Sequence, residues 1–157
     1  MAPYLLKAFR QERRGMERIL VSMDPLQGAW EAWSRAISLA KRIDAKVYAL
    51  LVLPPYDSEE GGIRQQNARG VRKKLELLIE IAKSEGIAID YFVSEGKYED
   101  EVIRFVDQNR ITLLVAELPD GERRHSGRGD PCLHKIRHRV TCRMELVSPR
   151  KIQQLMV

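Results

Sequence analysis

The fold is decided by the stretch Arg18-Ile-Leu-Val-Ser-Met-Asp24, which Pro25 follows at once. Three consecutive apolar side chains cannot all point to one side of a strand, so both faces of this strand are predicted to be covered. That pattern is typical of the central strand of a parallel sheet. Ligands of open α/β sheets bind beyond the carboxyl ends of the strands, which makes Asp24 the first candidate site residue.

Outward from this strand, apolar runs alternate with amphipathic segments. Residues 47–53 and 111–116 are further buried strands, and 87–93 is a strand with partial alternation. Helices are predicted over 30–43, with Trp30, Trp33, Ile37 and Ala40 inward and Ala36 and Ile43 widening the stripe, over 71–86, and over 98–109. Alternating strands and helices imply right-handed crossovers, and therefore a doubly wound, mainly parallel α/β sheet covered by helices on both faces.

The last part of the chain predicts a fifth strand. A polar loop runs from Glu117 to Gly129, and Asp130-Pro131 is a good start for a short helix. Residues 141–147 then alternate between apolar and polar, which favours an edge strand. We divide the 157-residue chain into a basic N-terminal helix or arm at 1–16, one domain at 17–149, and a tail at 150–157.

The positive charge of the chain is concentrated near its end. From Leu118 onward there are nine Lys/Arg and four Asp/Glu residues, which accounts for the whole formal excess of +5, together with all three histidines. Such a surface attracts polyanions, and an acidic protein is our candidate partner. No aromatic residue is interleaved with the basic run, which argues against a nucleic-acid partner.

Other features of the sequence indicate a soluble protein of the cytoplasm. There are two cysteines and no signal-peptide pattern, which favours a reducing compartment. The longest apolar runs, such as 48–53, are much shorter than the roughly 20 residues that a bilayer requires. We therefore predict no membrane span.

Three segments in order resemble the universal stress protein family. They are Asp24 closing the first strand, SRAISLAKRIDAKVYALLVL at 34–53 and EGKYEDEVIRFVDQNRITLLVAE at 95–117, with a looser match of KIRHRVTCRMELV to the last helix and strand. The resemblance implies a five-stranded, three-layer Rossmann-like fold of the adenine nucleotide alpha hydrolase type. It also implies a homodimer paired through the last strand, here 141–147. In one branch of the family it implies an ATP site, whose adenosine contacts correspond to Asp24 and Val52.

The phosphate half of that ATP site does not correspond. The ATP-binding branch has a pattern G-x2-G-x9-G-[ST] just after the fourth strand, where this chain has Ala116-Glu117-Leu118-Pro119. Those glycines let backbone N–H groups approach phosphate closely. We therefore expect a degenerate nucleotide site without a cofactor. The alternative is ATP held by an arginine-rich loop, with these candidate residues: Arg123, Arg124, Ser126, Gly127, Arg128 and Gly129.

The remaining motifs favour a protein that is not an enzyme. The pattern C-x-H-x3-H-x3-C at 132–142 contains metal-ligand types, but C-x-H lacks the usual ligand separation, and buried thiols with surface histidines explain it. No nucleophile elbow occurs, and the acid cluster of a phosphate-accepting receiver domain is incomplete. We predict a binding or signalling module, and the alternative is an ATP-binding protein that hydrolyses slowly.

Overall fold

A five-stranded parallel sheet with the strand order β3-β2-β1-β4-β5 forms the centre of the structure. The structure is a computed structural model that describes residues 16–55, 66, 68–119 and 131–149. In these residues the strands are β1 Glu17–Met23, β2 Ala45–Leu53, β3 Ala88–Glu95, β4 Leu113–Glu117 and β5 Arg143–Val147. The helices are α1 Trp30–Arg42, α2 Arg69–Ser84, α3 Tyr98–Gln108 and α4 Pro131–Arg139. The predicted α/β fold class is confirmed.

Strand β1 is the central strand, as its sequence predicts. Val21 is paired with Ala49 of β2 on one side and with Val115 of β4 on the other. Ile19 and Val21 lie in the core under α1 and α2, whereas Leu20 lies in the core under α3 and α4. Consecutive residues of β1 therefore pack into opposite cores, which explains why the strand is apolar without alternation.

The strand order reverses between β1 and β4, because β2 and β3 follow on one side of β1 whereas β4 and β5 lie on the other. At such a reversal the connections leave the sheet in opposite directions and open a crevice at the carboxyl ends of the strands. Strand β4 continues through Glu117. The prediction that Glu117 begins the polar loop was wrong, and its backbone is instead fixed by pairing with Val147 of β5.

Two details of the helices differ from the sequence pattern. Ile43 was predicted to widen the inward stripe of α1, but α1 ends at Arg42 and Ile43 is 43% exposed. The helical spacing does not place Ile43 on the inward face, because its backbone is already extended. In α3, Phe105 is buried beside the predicted Val102 and Val106, and its ring contacts that of Tyr48 on β2.

Strand β5 lies at the edge of the sheet, as predicted. Its polar face is bound to the rest of the domain, because Glu145 pairs with Arg35 of α1 at 2.5 Å and Arg143 pairs with Glu17 of β1 at 2.6 Å. No helix among the described residues is long and apolar enough to cross a membrane. The predicted tail at 150–157 and all of the predicted arm except Met16 lie outside the described residues.

Candidate functional site

A tight turn directly after β1 holds Asp24 at the carboxyl end of the sheet. The Asp24 Oδ1 atom accepts hydrogen bonds from the backbone N–H groups of Leu26 at 2.7 Å and Gln27 at 2.9 Å. The N–H of Gly28 donates to the Asp24 carbonyl oxygen at 2.8 Å and closes the turn. Gly28 has φ +74°, and a Cβ atom there would overlap the Trp30 indole, so the turn requires glycine.

One cavity, which we call the β2-side cavity, opens beside this turn and has a volume of about 360 Å³. It brings together the two residues for which the family resemblance implies an adenosine contact, Asp24 and Val52. Parallel neighbouring strands end at the same edge of a sheet, which is why residues 28 positions apart meet here. The other lining residues are Pro25, Leu26, Pro54, Pro55, Gly96, Lys97 and Tyr98.

A second and smaller cavity lies between the ends of β1 and β4, at the reversal of the strand order. We call it the β4-side cavity, and its volume is about 180 Å³. Its described lining contains two carboxylates, Asp24 and Glu117, and neither lysine nor arginine. The remaining lining residues are Ser22, Gln27, Gly28, Ala29, Tyr98, Leu118, Pro119, Cys132 and Leu133. The two cavities share Asp24 and Tyr98.

The carboxylate of Glu117 caps helix α1 from the neighbouring strand. Its Oε1 atom accepts the backbone N–H groups of Glu31 at 2.8 Å and Ala32 at 3.0 Å. The residue before the helix is Ala29, whose side chain cannot accept a hydrogen bond, so Glu117 supplies the cap that the local sequence lacks. Burial raises the pKa of Glu117, although the hydrogen bonds from Ala32 and Glu31 favour its charged form.

A hydrogen bond between β1 and α3 lies beside the cavities, because Tyr98 lines both of them and Ser22 lines the β4-side cavity. The hydroxyl groups of Ser22 and Tyr98 are 2.6 Å apart, and Ser22 is only 2% exposed. Cys132, near the start of α4, lies in the same region, with its Sγ atom 3.3 Å from Oε2 of Glu99. Both cysteines were interpreted as buried thiols, but Cys132 and Cys142 are only half-buried.

Six of the eight predicted site residues cannot be placed. Asp24 and Val52 meet in the β2-side cavity. The arginine-rich loop lies wholly outside the described residues, so its candidate phosphate contacts stay predictions: Arg123, Arg124, Ser126, Gly127, Arg128 and Gly129.

Metal ligands do not converge in the described part of the chain. His134 and His138 share a face of α4 with their rings 4.4 Å apart and edge to face. In the ranges that the structure describes, no group of three or more His, Cys, Asp or Glu side chains could hold a metal ion.

Sequence reasoning missed three residues of this region: Ser22, Tyr98 and the capping role of Glu117. Ser22 was interpreted as a polar residue within an apolar strand. Tyr98 was identified only as the first residue of a predicted helix. The one local signal for Glu117 is negative. An amphipathic helix that begins after Ala29 without a Ser, Thr, Asp or Asn cap must satisfy its first N–H groups from elsewhere.

Comparisons with known proteins agree on one family. The sequence model described as the universal stress protein family matches residues 15–127, more than half of the chain. No match is found among curated protein sequences.

Solved structures show the same fold at low sequence identity. The universal stress protein UspA from Lactobacillus plantarum has a TM-score of 0.70 and 16% identity, covering 84% of this chain and 97% of its own. The universal stress protein from Archaeoglobus fulgidus in complex with dAMP has a TM-score of 0.58 and 17% identity, with coverages of 83% and 97%. A universal stress protein family protein from Arabidopsis thaliana with AMP bound has a TM-score of 0.57 and 16% identity, with coverages of 88% and 94%.

Proposed function

The chain belongs to the universal stress protein family, and from this premise we propose that it is a binding or signalling module rather than an enzyme. In this proposal the β2-side cavity takes the adenosine part of an adenine compound, the phosphate half of the site is degenerate, and the protein acts in the cytoplasm through dimerisation and partner binding. The observation that carries the proposal is that Asp24 and Val52 line one cavity.

The chemistry of the β2-side cavity suits a nucleoside. Small-molecule sites are mostly apolar concavities of roughly 300–1,000 Å³ with a few polar groups that fix orientation. Here Val52 and the two prolines that follow β2 give apolar walls, and Asp24 supplies acceptor oxygens. Within the described residues Oδ2 of Asp24 makes no hydrogen bond, because the turn uses only Oδ1. That oxygen is available to a ribose hydroxyl or an amino group.

Two observations support a degenerate phosphate half. The described lining of the β4-side cavity is acidic, and the glycines that would bring backbone N–H groups to a polyphosphate are replaced by Glu117, Leu118 and Pro119. The relatives with bound nucleotides named above carry AMP or dAMP, each with a single phosphate. A binding site for adenosine therefore does not require a site for a triphosphate.

Isothermal titration with adenosine and with Mg-ATP tests this function. We expect adenosine to bind and the triphosphate to add no affinity. Asp24→Ala is expected to abolish adenosine binding. Asp107→Ala is the matched control, because Asp107 is an exposed carboxylate near the far end of α3, about 13 Å along the helix from Tyr98.

Three outcomes contradict parts of the proposal. Absence of heat with adenosine contradicts the adenosine site. Mg-ATP binding much more tightly than adenosine contradicts the degenerate phosphate half and supports the arginine-rich loop as the phosphate site. Release of phosphate from Mg-ATP at a rate that falls with Asp24→Ala contradicts the non-enzymatic role.

Dimerisation is proposed through the edge of β5 that no described strand pairs with. Arg143 donates its backbone N–H to Thr112 beside β4, and Leu118 donates to the carbonyl of Val147. Because backbone groups alternate along a strand, those of Met144 and Leu146 point away from the sheet and can pair with a second copy. Sedimentation equilibrium is expected to give a dimer, and a monomer at micromolar concentration would remove this part of the proposal.

A further inference from the structure

The N-terminus of helix α1 is closed by a carboxylate of the protein itself. Two of its first N–H groups, those of Glu31 and Ala32, already donate to Glu117. The first N–H groups of a helix and its dipole make this end a ready site for an anion such as phosphate. In this chain the anion is built in, and it comes from β4, on the other side of the strand-order reversal.

The same carboxylate also lines the β4-side cavity, next to the cavity in which we place the adenosine. Any phosphate attached to that nucleoside and directed toward α1 would meet Glu117 and Asp24, with no described lysine or arginine in the lining. It would find the N–H groups of Glu31 and Ala32 occupied. Glu117 therefore opposes a phosphate in two ways, by charge repulsion and by occupying its donors.

We propose that Glu117 is a specificity-determining residue that makes the site select an uncharged adenine nucleoside over its phosphorylated forms. This inference rests on the proposed function, since it assumes that the β2-side cavity holds adenosine. It adds to that function the class of ligand, an uncharged nucleoside, and the residue that determines this preference. The Glu117 carboxylate occupies the N–H groups that a phosphate would otherwise bind. A nucleoside therefore leaves the carboxylate in place, whereas a nucleotide must displace it.

Titration of the wild type and of Glu117→Gln with adenosine and AMP tests the inference at pH 8, where the AMP phosphate is fully ionised. The wild type is expected to bind adenosine at least about tenfold more tightly than AMP, because two like charges a few ångströms apart in a partly buried site repel strongly. Glu117→Gln keeps an acceptor oxygen for the helix and removes the charge. It should raise the affinity for AMP by about tenfold while changing adenosine binding less than about twofold.

The control is Glu31→Gln, which removes a carboxylate from the same helix turn. Glu31 lines neither cavity. If Glu31→Gln gains as much AMP affinity as Glu117→Gln, the inference is contradicted. The overall negative potential of the site, rather than Glu117, would then determine the preference for adenosine. Equal binding of adenosine and AMP by the wild type contradicts the inference as well.

A separate measurement keeps the two proposals distinguishable. If neither adenosine nor AMP binds the wild type, the proposed function fails. The role of Glu117 is then decided by inorganic phosphate, followed through the amide NMR signals of Glu31 and Ala32. Phosphate should shift these signals in Glu117→Ala, which vacates the N–H groups, and not in the wild type. Unchanged signals in a folded Glu117→Ala protein overturn the inference. If that variant does not fold, Glu117→Leu serves in its place, because it also lacks an acceptor for the two N–H groups.

Discussion

The two cavities at the carboxyl end of the sheet share Asp24 and Tyr98 but differ in their chemistry. The β2-side cavity is the larger, with apolar walls and an Asp24 carboxylate oxygen that no described residue binds. The β4-side cavity has half that volume, and its described lining is acidic and includes a carboxylate that is already bonded to a helix. The fold creates both spaces through the strand order, but the residues at the strand ends decide which of them can accept a ligand.

The largest effect is expected from a substitution in the turn that lines both cavities. Gly28→Ala places a side chain at φ +74° and against the Trp30 indole. We expect a loss of about 2–4 kcal/mol in the free energy of unfolding, combining the left-handed backbone with overpacking. Urea unfolding measures it, and adenosine binding should weaken in the same variant because Asp24 is displaced.

Gly70→Ala is the matched control for that substitution. Gly70 lies inside α2, and a Cβ atom there has no neighbour within 4 Å. Replacing glycine by alanine in a helix should stabilise the protein by up to about 1 kcal/mol. Similar unfolding midpoints for Gly28→Ala and Gly70→Ala would show that the turn does not constrain Asp24.

A smaller effect is expected from the hydrogen bond between Ser22 and Tyr98. Tyr98→Phe removes the partner of the Ser22 hydroxyl, which is 2% exposed. An unsatisfied buried hydroxyl costs about 1–2 kcal/mol, so the variant should lose that much stability. Ser22→Ala in the same background should recover most of the loss, because it removes the stranded group.

Tyr91→Phe gives the reference for losing a tyrosine hydroxyl. The Tyr91 hydroxyl is buried on β3 and makes no hydrogen bond of good geometry within the described residues. Because an unsatisfied buried hydroxyl is costly, its removal is expected to leave stability unchanged or to raise it by up to about 2 kcal/mol. Equal losses for Tyr98→Phe and Tyr91→Phe would mean that the Ser22–Tyr98 contact contributes nothing.

The place of Asp24 at the carboxyl end of the sheet could be predicted from the sequence, and the reason is the repetitive geometry of parallel sheets. Continuous apolar runs identify strands that are covered on both faces, and adjacent parallel strands end together. Asp24 directly follows such a run, whereas Val52, the last but one residue of β2, was implied only by the family resemblance. The strand order then explains why the two residues line one cavity. The same regularity located α3 from the spacing of Val102 and Val106.

The β4 side could not be predicted, because it depends on contacts between residues far apart in the chain. Glu117 lies 86 positions from Glu31. Whether a carboxylate after an apolar run points to solvent or caps a helix depends on where β4 ends, and the sequence placed that end one residue too early. The arginine-rich loop at 120–130 lies outside the described residues, so its prediction stays open.

The smallest expected effect separates Glu117 from an ordinary surface carboxylate through the pH dependence of stability. Burial raises the pKa of Glu117 in the folded protein, so between the unfolded value of about 4.3 and the folded value the native state binds more protons. The contribution of Glu117 to stability is therefore fully present below the unfolded pKa and is lost as the pH rises through the folded pKa. The free energy of unfolding of the wild type minus that of Glu117→Gln should fall slightly over this range, since water partly screens the side chain.

Asp100 provides the opposite case and completes the test. Its hydrogen bond with Lys135 of α4, 2.9 Å long, lowers the pKa of Asp100 on an exposed surface. Its contribution is present above the unfolded pKa and is lost as the pH falls through the folded pKa, so the difference between wild type and Asp100→Asn should rise with pH. Chemical denaturation at a series of pH values measures both differences. Opposite slopes of these two differences against pH identify Glu117 as a desolvated anion held in the cleft. If both differences rise with pH, the hydrogen bonds from α1 to Glu117 outweigh the effect of burial, and Glu117 carries its charge there without cost.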